Sequence, residues 1–308
     1  MRALRIGTRG SLLARWQADF VRKQLFQLMG TDAELVVIKT SGDKMQQAPL
    51  TQIGGKGIFI KELQEALLAE SIDLAVHSVK DIPTETPGRL FFPAVCRRDD
   101  VRDCLISHRG ETLSNLKQGA RVGTGSLRRQ AQLRRFRPDL DIRELRGNVD
   151  TRLRKVEGGE YDAIVLSKAG LDRLGWSQKI TEPLSTDLSL PAVGQGAIAI
   201  ESRTKDTEAA EILGKLDDAE TRTAIIAERA LLSTLQGGCQ VPLGAWARLE
   251  RGELVMEAVV CSVDGVRHIR QRATAPPEQA AQLGERMAQL LADGGARNIL
   301  EEVQRSRG

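Results

Sequence analysis

The sequence predicts an α/β chain made of two similar α/β domains and a smaller α+β domain at its C-terminal end. Three observations carry this. The chain has 308 residues, more than a single hydrophobic core usually serves. Up to about residue 190, short apolar strands alternate with amphipathic helices. After Asp217 the alternation gives way to one long helix and three strands in succession.

In the first stretch, Leu4–Thr8 reads as a strand, and Ser11 is placed to cap a helix that runs to about Leu28. Glu34–Thr40 is a second strand. Residues 41–57, rich in Gly, Gln and Lys, read as a mobile loop. A helix over 58–70 and a strand over 73–78 complete a βαβ pattern, which implies a parallel sheet with helices on its faces.

The second stretch repeats this alternation, with a strand over 121–123, a helix over 126–136, a strand over 141–145, a helix over 148–157 and a strand over 163–167. The glycine-rich segment Pro191-Ala-Val-Gly-Gln-Gly-Ala leads into a further apolar strand. Two α/β units with a cleft between them are the expected architecture. The last stretch predicts a helix over 219–235 and strands near 243–248, 254–262 and 267–274, with Asp264-Gly265 as a hairpin turn. Helices over 277–293 and 296–303 follow.

Composition narrows the function. Apolar residues make up 41% of the chain, and no apolar run approaches the length of a membrane span. The N-terminus enters a strand pattern at once and lacks the apolar core of a signal peptide, so a cytoplasmic protein is expected. Four cysteines (Cys96, Cys104, Cys239 and Cys261) form no CxxC pair, and there are only three histidines, which argues against a structural zinc site. The formal charge is +4, and the 45 basic residues comprise 33 Arg and 12 Lys. Arginine binds carboxylate or phosphate through a planar fork. A nucleic-acid partner would call for basic runs and stacking aromatics, yet aromatics are 3% and the arginines lie singly or in pairs. A small polyanionic ligand fits better.

One device recurs three times: a strand ends, a short Gly- or Ser-containing turn carries arginine, and a helix begins. The three are Thr8-Arg9-Gly10-Ser11, Gly123-Thr124-Gly125-Ser126-Leu127-Arg128-Arg129 and Arg146-Gly147-Asn148-Val149-Asp150-Thr151-Arg152. Free N–H groups at a helix start together with guanidinium groups make an anion cradle. Ordinary βα-turn chemistry is the competing reading of any one of them. Lys80 and Asp81 in His77-Ser-Val-Lys-Asp-Ile-Pro lie at a strand end before a proline turn. Asp81 could donate a proton or stabilise a cation there, or it could simply satisfy turn amides. Cys239, in Gly-Gly-Cys-Gln-Val-Pro, is either a nucleophile with room for close approach or a small buried hydrophobe. The segment Gly54-Gly-Lys56-Gly resembles the end of a flap carrying a lysine, and it does not match a P-loop.

Taken together, TRGSLLARWQ, GGKGIF, HSVKDIP, GTGSLRRQ, LRGNVDTRL, AGLDRLG, PAVGQGA and GGCQVP resemble, in order and along most of the chain, the porphobilinogen deaminase (hydroxymethylbilane synthase) family. That resemblance implies a fold class of two type II periplasmic-binding-protein-like α/β domains plus a small α+β C-terminal domain. Domain 1 would span residues 1–98 and 195–217, domain 2 residues 99–194 and domain 3 residues 218–308. It implies a transferase of tetrapyrrole and heme biosynthesis, active as a monomer, with porphobilinogen as its substrate and no metal, nucleic acid or membrane partner. The cofactor would be a covalent dipyrromethane, one per chain, joined to Cys239 by a thioether. Four porphobilinogens would be condensed head to tail, each losing ammonia, before water releases hydroxymethylbilane. Asp81 matches the family's catalytic aspartate. Arg9, Arg128, Arg129, Arg146, Arg152 and Arg173 match its carboxylate binders, Ser11, Lys80, Thr124, Ser126 and Gln195 would be secondary contacts, and Lys56 would be the flap's cation for the ligand. Gln52 and Lys168 depart from residues common in relatives. The rival reading is a two-lobed anionic-ligand-binding protein without catalysis, which would need the arginines but neither Cys239 nor Asp81.

Overall fold

The computed structural model describes residues 3–44, 59–235 and 241–305. Along the chain come β1 (Leu4–Arg9), α1 (Leu12–Met29), β2 (Ala33–Ile38), α2 (Ser41–Lys44), α3 (Lys61–Leu68), β3 (Leu74–Ser78) and β4 (Leu90–Val95). There follow β5 (Asp103–Ser107), β6 (Arg121–Gly123), α4 (Leu127–Phe136), β7 (Asp141–Arg143), α5 (Val149–Glu157), β8 (Ala163–Ser167), α6 (Lys168–Arg173) and β9 (Glu182–Pro183). The last part holds β10 (Ile198–Arg203), α7 (Thr207–Gly214), α8 (Ala219–Thr234), β11 (Leu243–Glu250), β12 (Glu253–Cys261), β13 (His268–Ala275), α9 (Ala280–Asp293) and α10 (Ala296–Arg305).

The chain divides into two compact units, residues 1–99 with 196–222 and residues 100–195 with 223–308. The first holds a five-stranded sheet in the order β2-β1-β3-β10-β4, and the second a sheet in the order β7-β6-β8-β5-β9. The two orders are the same. In each, a first strand pairs in parallel with its second and third, and one further strand runs antiparallel between the third and the last. That further strand, β10 or β5, is the one that follows the chain's entry into its unit. The sequence pattern predicts parallel sheets, and both sheets are instead mixed. A parallel neighbour needs a crossover that turns the chain around. β5 and β10 arrive without one, so they run against β8 and β3.

Local chemistry sets the helices. Ser11, in extended backbone, accepts a hydrogen bond from Ala14 N and caps α1. Gly30, with φ of 62°, ends it in the left-handed region where a side chain would be strained. Ala18, Val21 and Leu25 put one helical face of α1 against Ile6, Leu74 and Val76. Each large aliphatic side chain buried this way contributes about 1.5–3 kcal/mol. In the second unit, Cys104, Ile106, Ile164 and Leu166 face one layer of packing, and Leu105, Ala163 and Val165 face the other. Burial on both faces explains why β8 reads as an unbroken apolar run.

The third sheet, β11-β12-β13, is an antiparallel meander, and the Asp264-Gly265 turn lies between its last two strands as predicted. One face packs on α8, α9 and α10. Trp246, Val259 and Cys261 pack against Ala131 of α4 and Leu190, and this sheet groups with residues 100–195 in the second unit. The expected edges at 98/99 and 194/195 lie beside the observed ones at 99/100 and 195/196.

Candidate active site

In the first unit, the expected residues lie at the C-terminal ends of two neighbouring strands, β1 and β3. α/β sheets present ligands at that edge. Arg9 closes β1, and its guanidinium carbon stands 4.0 Å from the centre of the Phe59 ring. Ser11 is taken up by its capping bond. β3 passes directly into a single 3-10 turn, Val79–Asp81, anchored by the buried Val79, whose amide donates to Ala197 O at 3.0 Å. Lys80 and Asp81 are half-buried on that turn. The buried Gln17 of α1 donates to Ser78 Oγ at 2.8 Å, tying the helix to the end of β3.

In the second unit, the same edge collects the arginines. Ser126 caps α4, accepting from Arg129 N, and the fully buried Thr124 turns its hydroxyl inward to accept from Ser126 N. Arg146 donates from Nε to Glu144 Oε1 at 2.7 Å, and Arg152 from Nε to Gly147 O at 2.7 Å. Arg173 is the buried last residue of α6. At the start of that helix, Lys168 pairs with Asp172 at 2.6 Å.

Arg128 and Arg129 are 3% and 7% exposed and converge on Asp103, which is fully enclosed. Arg128 grips this carboxylate with both ends of its fork, Nη1 to Oδ2 at 2.7 Å and Nη2 to Oδ1 at 3.2 Å. Arg129 donates to Oδ1 from Nε at 3.0 Å and Nη2 at 2.8 Å. Ser189 Oγ donates to Oδ2 at 2.8 Å and Gln195 Nε2 to Oδ1 at 2.9 Å. Burial works against the Asp103 carboxylate, but the two guanidinium charges overcome it and hold its pKa well below the usual range. The three charged groups sum to one positive charge.

The pattern of turns marks Arg128 and Arg129 as groups that hold a ligand's carboxylates. In the structure, the carboxylate they hold is the chain's own Asp103. Sequence reasoning missed Asp103. The available signal was a charged residue opening the apolar strand Asp103-Cys-Leu-Ile-Ser, where an enclosed carboxylate needs cationic partners. Of the expected residues, Arg128, Arg129 and Gln195 meet on that aspartate. Arg9, Ser11, Lys80 and Asp81 belong to the other unit. Lys56 and Cys239 lie outside the described residues, as does the expected flap beyond Lys44.

Gly196, just after Gln195, has a φ of 90°, and a Cβ there would lie 2.7 Å from Asp99 O, so this position of the PAVGQG segment requires glycine. No helix among the described residues is long and apolar enough to cross a membrane.

Residues 4–211 match the family model described as porphobilinogen deaminase, dipyrromethane cofactor binding domain, and residues 222–293 match porphobilinogen deaminase, C-terminal domain. The chain is 47% identical over 306 residues to the porphobilinogen deaminase of Syntrophobacter fumaroxidans, covering 99% of each. It is 51% identical over 299 residues to that of Syntrophotalea carbinolica, covering 97% of this chain and 95% of the relative. Among solved structures, the methionine binding protein MetQ aligns with a TM-score of 0.43 at 13% identity, over 70% of this chain and 89% of its own. The periplasmic VFT2 domain of Bordetella pertussis BvgS aligns with a TM-score of 0.41 at 18% identity, over 70% and 86%.

Proposed function

The chain belongs to the porphobilinogen deaminase family, and on that premise we propose that it condenses four porphobilinogen molecules head to tail on a covalent dipyrromethane primer, releasing ammonia at each step and finally hydroxymethylbilane. The single observation that carries this reading is the match of both family domains along nearly the whole chain. We read it as a cytoplasmic transferase that acts as a monomer, with domains over 1–98 and 195–217, 99–194 and 218–308.

The described residues suit the primer and its substrate. Every pyrrole unit carries an acetate and a propionate, so the ligand is a string of carboxylates. The second unit offers guanidinium groups on three successive helices, α4, α5 and α6, and the enclosed Asp103 cluster keeps a surplus positive charge. Charge-assisted bonds from such groups are about twice as strong as neutral ones. When bound, dipyrromethane supplies the terminal pyrrole carbon at which the chain grows. Cys239 is the residue that would hold it through a thioether.

Asp81 has the chemistry for the step in which ammonia leaves. As the carboxylic acid its side chain can protonate the departing amine, and as the carboxylate it can orient that amine, accept from a pyrrole N–H and stabilise the positive charge left on the pyrrole. A fixed anion needs no reorientation as that charge develops, whereas water does. Lys80 beside it, Arg9 at the end of the neighbouring strand and Lys56 are the first unit's cations for incoming carboxylates. Thr124, Ser126 and Gln195 act by shaping the turns that aim the arginines.

Intact mass tests the assignment. Purified protein should carry a two-pyrrole adduct, and Cys239→Ser should lose both adduct and turnover, because a hydroxyl is a far weaker nucleophile at neutral pH. A wild-type chain of bare polypeptide mass with full activity would refute it.

A further inference from the structure

The Asp103 cluster is an odd device if its only purpose is stability. Two adjacent arginines on α4 point at one enclosed carboxylate, and their charges are not balanced. A buried ion group with a surplus charge is a costly way to fill a core, and apolar residues of the same volume often serve better. Asp103 also accepts from Ser189 and Gln195, so its two oxygens receive six hydrogen bonds in all. Arg128 is further tied to Leu190 O at 2.6 Å and Arg129 to Val165 O at 3.1 Å. Arg128 Nε, although enclosed, has no acceptor among the described residues.

The surroundings of the cluster are fixed as well. The amide of Gly194, next to Gln195, donates to Glu228 Oε2 at 2.7 Å, and Glu228 Oε1 accepts from Ala247 N at 2.9 Å. Glu228 lies on α8, the helix that ends at Thr234, shortly before Cys239. One hydrogen-bonded path therefore links that helix, the PAVGQG segment, Asp103 and both arginines.

We propose that Asp103 is a positioning residue for carboxylate recognition: it holds the guanidinium groups of Arg128 and Arg129 in one arrangement and leaves the cluster one net positive charge, suited to a single carboxylate of a pyrrole ligand. The proposal rests on the reading that Arg128 and Arg129 serve the ligand's carboxylates. Preset donors lose little freedom when a ligand binds. Without Asp103, two neighbouring guanidinium groups repel, separate and must be reordered by the ligand.

The test uses four variants of the full chain, Asp103→Asn, Asp103→Glu, Ser189→Ala and Arg129→Leu. Each is examined for cofactor content by intact mass, for KM and kcat with porphobilinogen, and for thermal unfolding. Ser189→Ala removes one hydrogen bond to the carboxylate and a longer one that Arg128 Nη1 donates to the hydroxyl at 3.4 Å, and leaves both arginines bound to Asp103. Folded Asp103→Asn should load cofactor poorly or, where loaded, show a KM raised by about tenfold or more with kcat much less affected, as expected for losing one charge-assisted contact. Asp103→Glu should recover part of this, and Ser189→Ala should raise KM by about threefold with little change in unfolding temperature. A purely structural role would lower the unfolding temperature and leave loading and KM of the folded protein unchanged. If Arg129→Leu is impaired while Asp103→Asn and Ser189→Ala load and bind normally, the positioning role is overturned and the arginine assignment stands. If Arg129→Leu is itself normal, the arginine assignment falls and the proposal with it. Should Asp103→Asn fail to fold, the KM of Ser189→Ala decides: unchanged, it overturns the proposal.

Discussion

His77 Nε2 lies 2.9 Å from Glu201 Oε2, joining β3 to β10 four residues before Asp81. The two side chains are almost wholly enclosed, His77 at 4% and Glu201 at 0% exposure. Gln64 of α3 donates to the other carboxylate oxygen at 2.7 Å. The pair thus fastens the strand that leads into the turn of Lys80 and Asp81 to its neighbour β10, and Gln64 ties it to α3. Glu201→Ala leaves the enclosed His77 ring nitrogen and the half-buried Gln64 amide without this acceptor. It should cost about 1–3 kcal/mol, the penalty for one orphaned buried polar group, here His77. Urea unfolding measures this. A loss below about 1 kcal/mol would show that water reaches the site and that the pair does not fasten β3.

Asp81 should matter for the chemical step and little for folding. It is half-buried at the end of its 3-10 turn, so losing its charge disturbs no enclosed network among the described contacts. Asp81→Asn keeps the shape but removes the charge and the acid. A folded protein is expected, with turnover at saturating porphobilinogen lower by at least about a hundredfold. Asp81→Glu should keep more activity than Asn. Near-normal turnover of the Asn variant would make Asp81 a turn residue only.

The enclosed thiols should be inert. Burial pushes Cys104 up to about 12 and Cys261 up to about 11, so neither forms much thiolate at neutral pH. Cys96 is enclosed too. Native protein treated with iodoacetamide at about pH 8 should leave all three unmodified, and denatured protein should label all three. Rapid native labelling of Cys104 or Cys261 would contradict the packing of β5 or β12.

Acid should unfold the second unit through Asp103. Its folded pKa lies below its ordinary value of 3.8. A depressed carboxylate contributes stability that is present above the unfolded value and lost as pH falls toward the folded one. Urea midpoints should therefore hold steady from about pH 7 to 5 and drop below about pH 4. Midpoints unchanged down to about pH 3 would mean that Asp103 does not carry this linkage.

What was local was legible. Ser11 and Ser126 announce α1 and α4 because a capping hydroxyl acts within three residues, and the runs 121–123 and 163–167 announce β6 and β8 by their own apolar character. The elements that escaped sequence reasoning break local rules. β4 contains Pro93, tolerated because β4 is an edge strand. α6 contains Gly170, which weakens a helix signal. β5 opens on a charged residue.

By itself, the sequence determined the alternation of strands and helices, the change to a helix and a three-stranded meander after Asp217, the arginine-bearing turns and, through its motifs, the family. Tertiary structure alone decided that β5 and β10 enter their sheets antiparallel, that His77 meets Glu201, and that Arg128, Arg129 and Gln195 share Asp103. The reason is range. Caps, turns and periodicity act over a few residues and are written where they act. Asp103, in contrast, meets Arg128 25 positions away and Gln195 92 positions away. Such partners are chosen by the cost of enclosing an unpaired charge, and that cost exists only once the chain has folded around it.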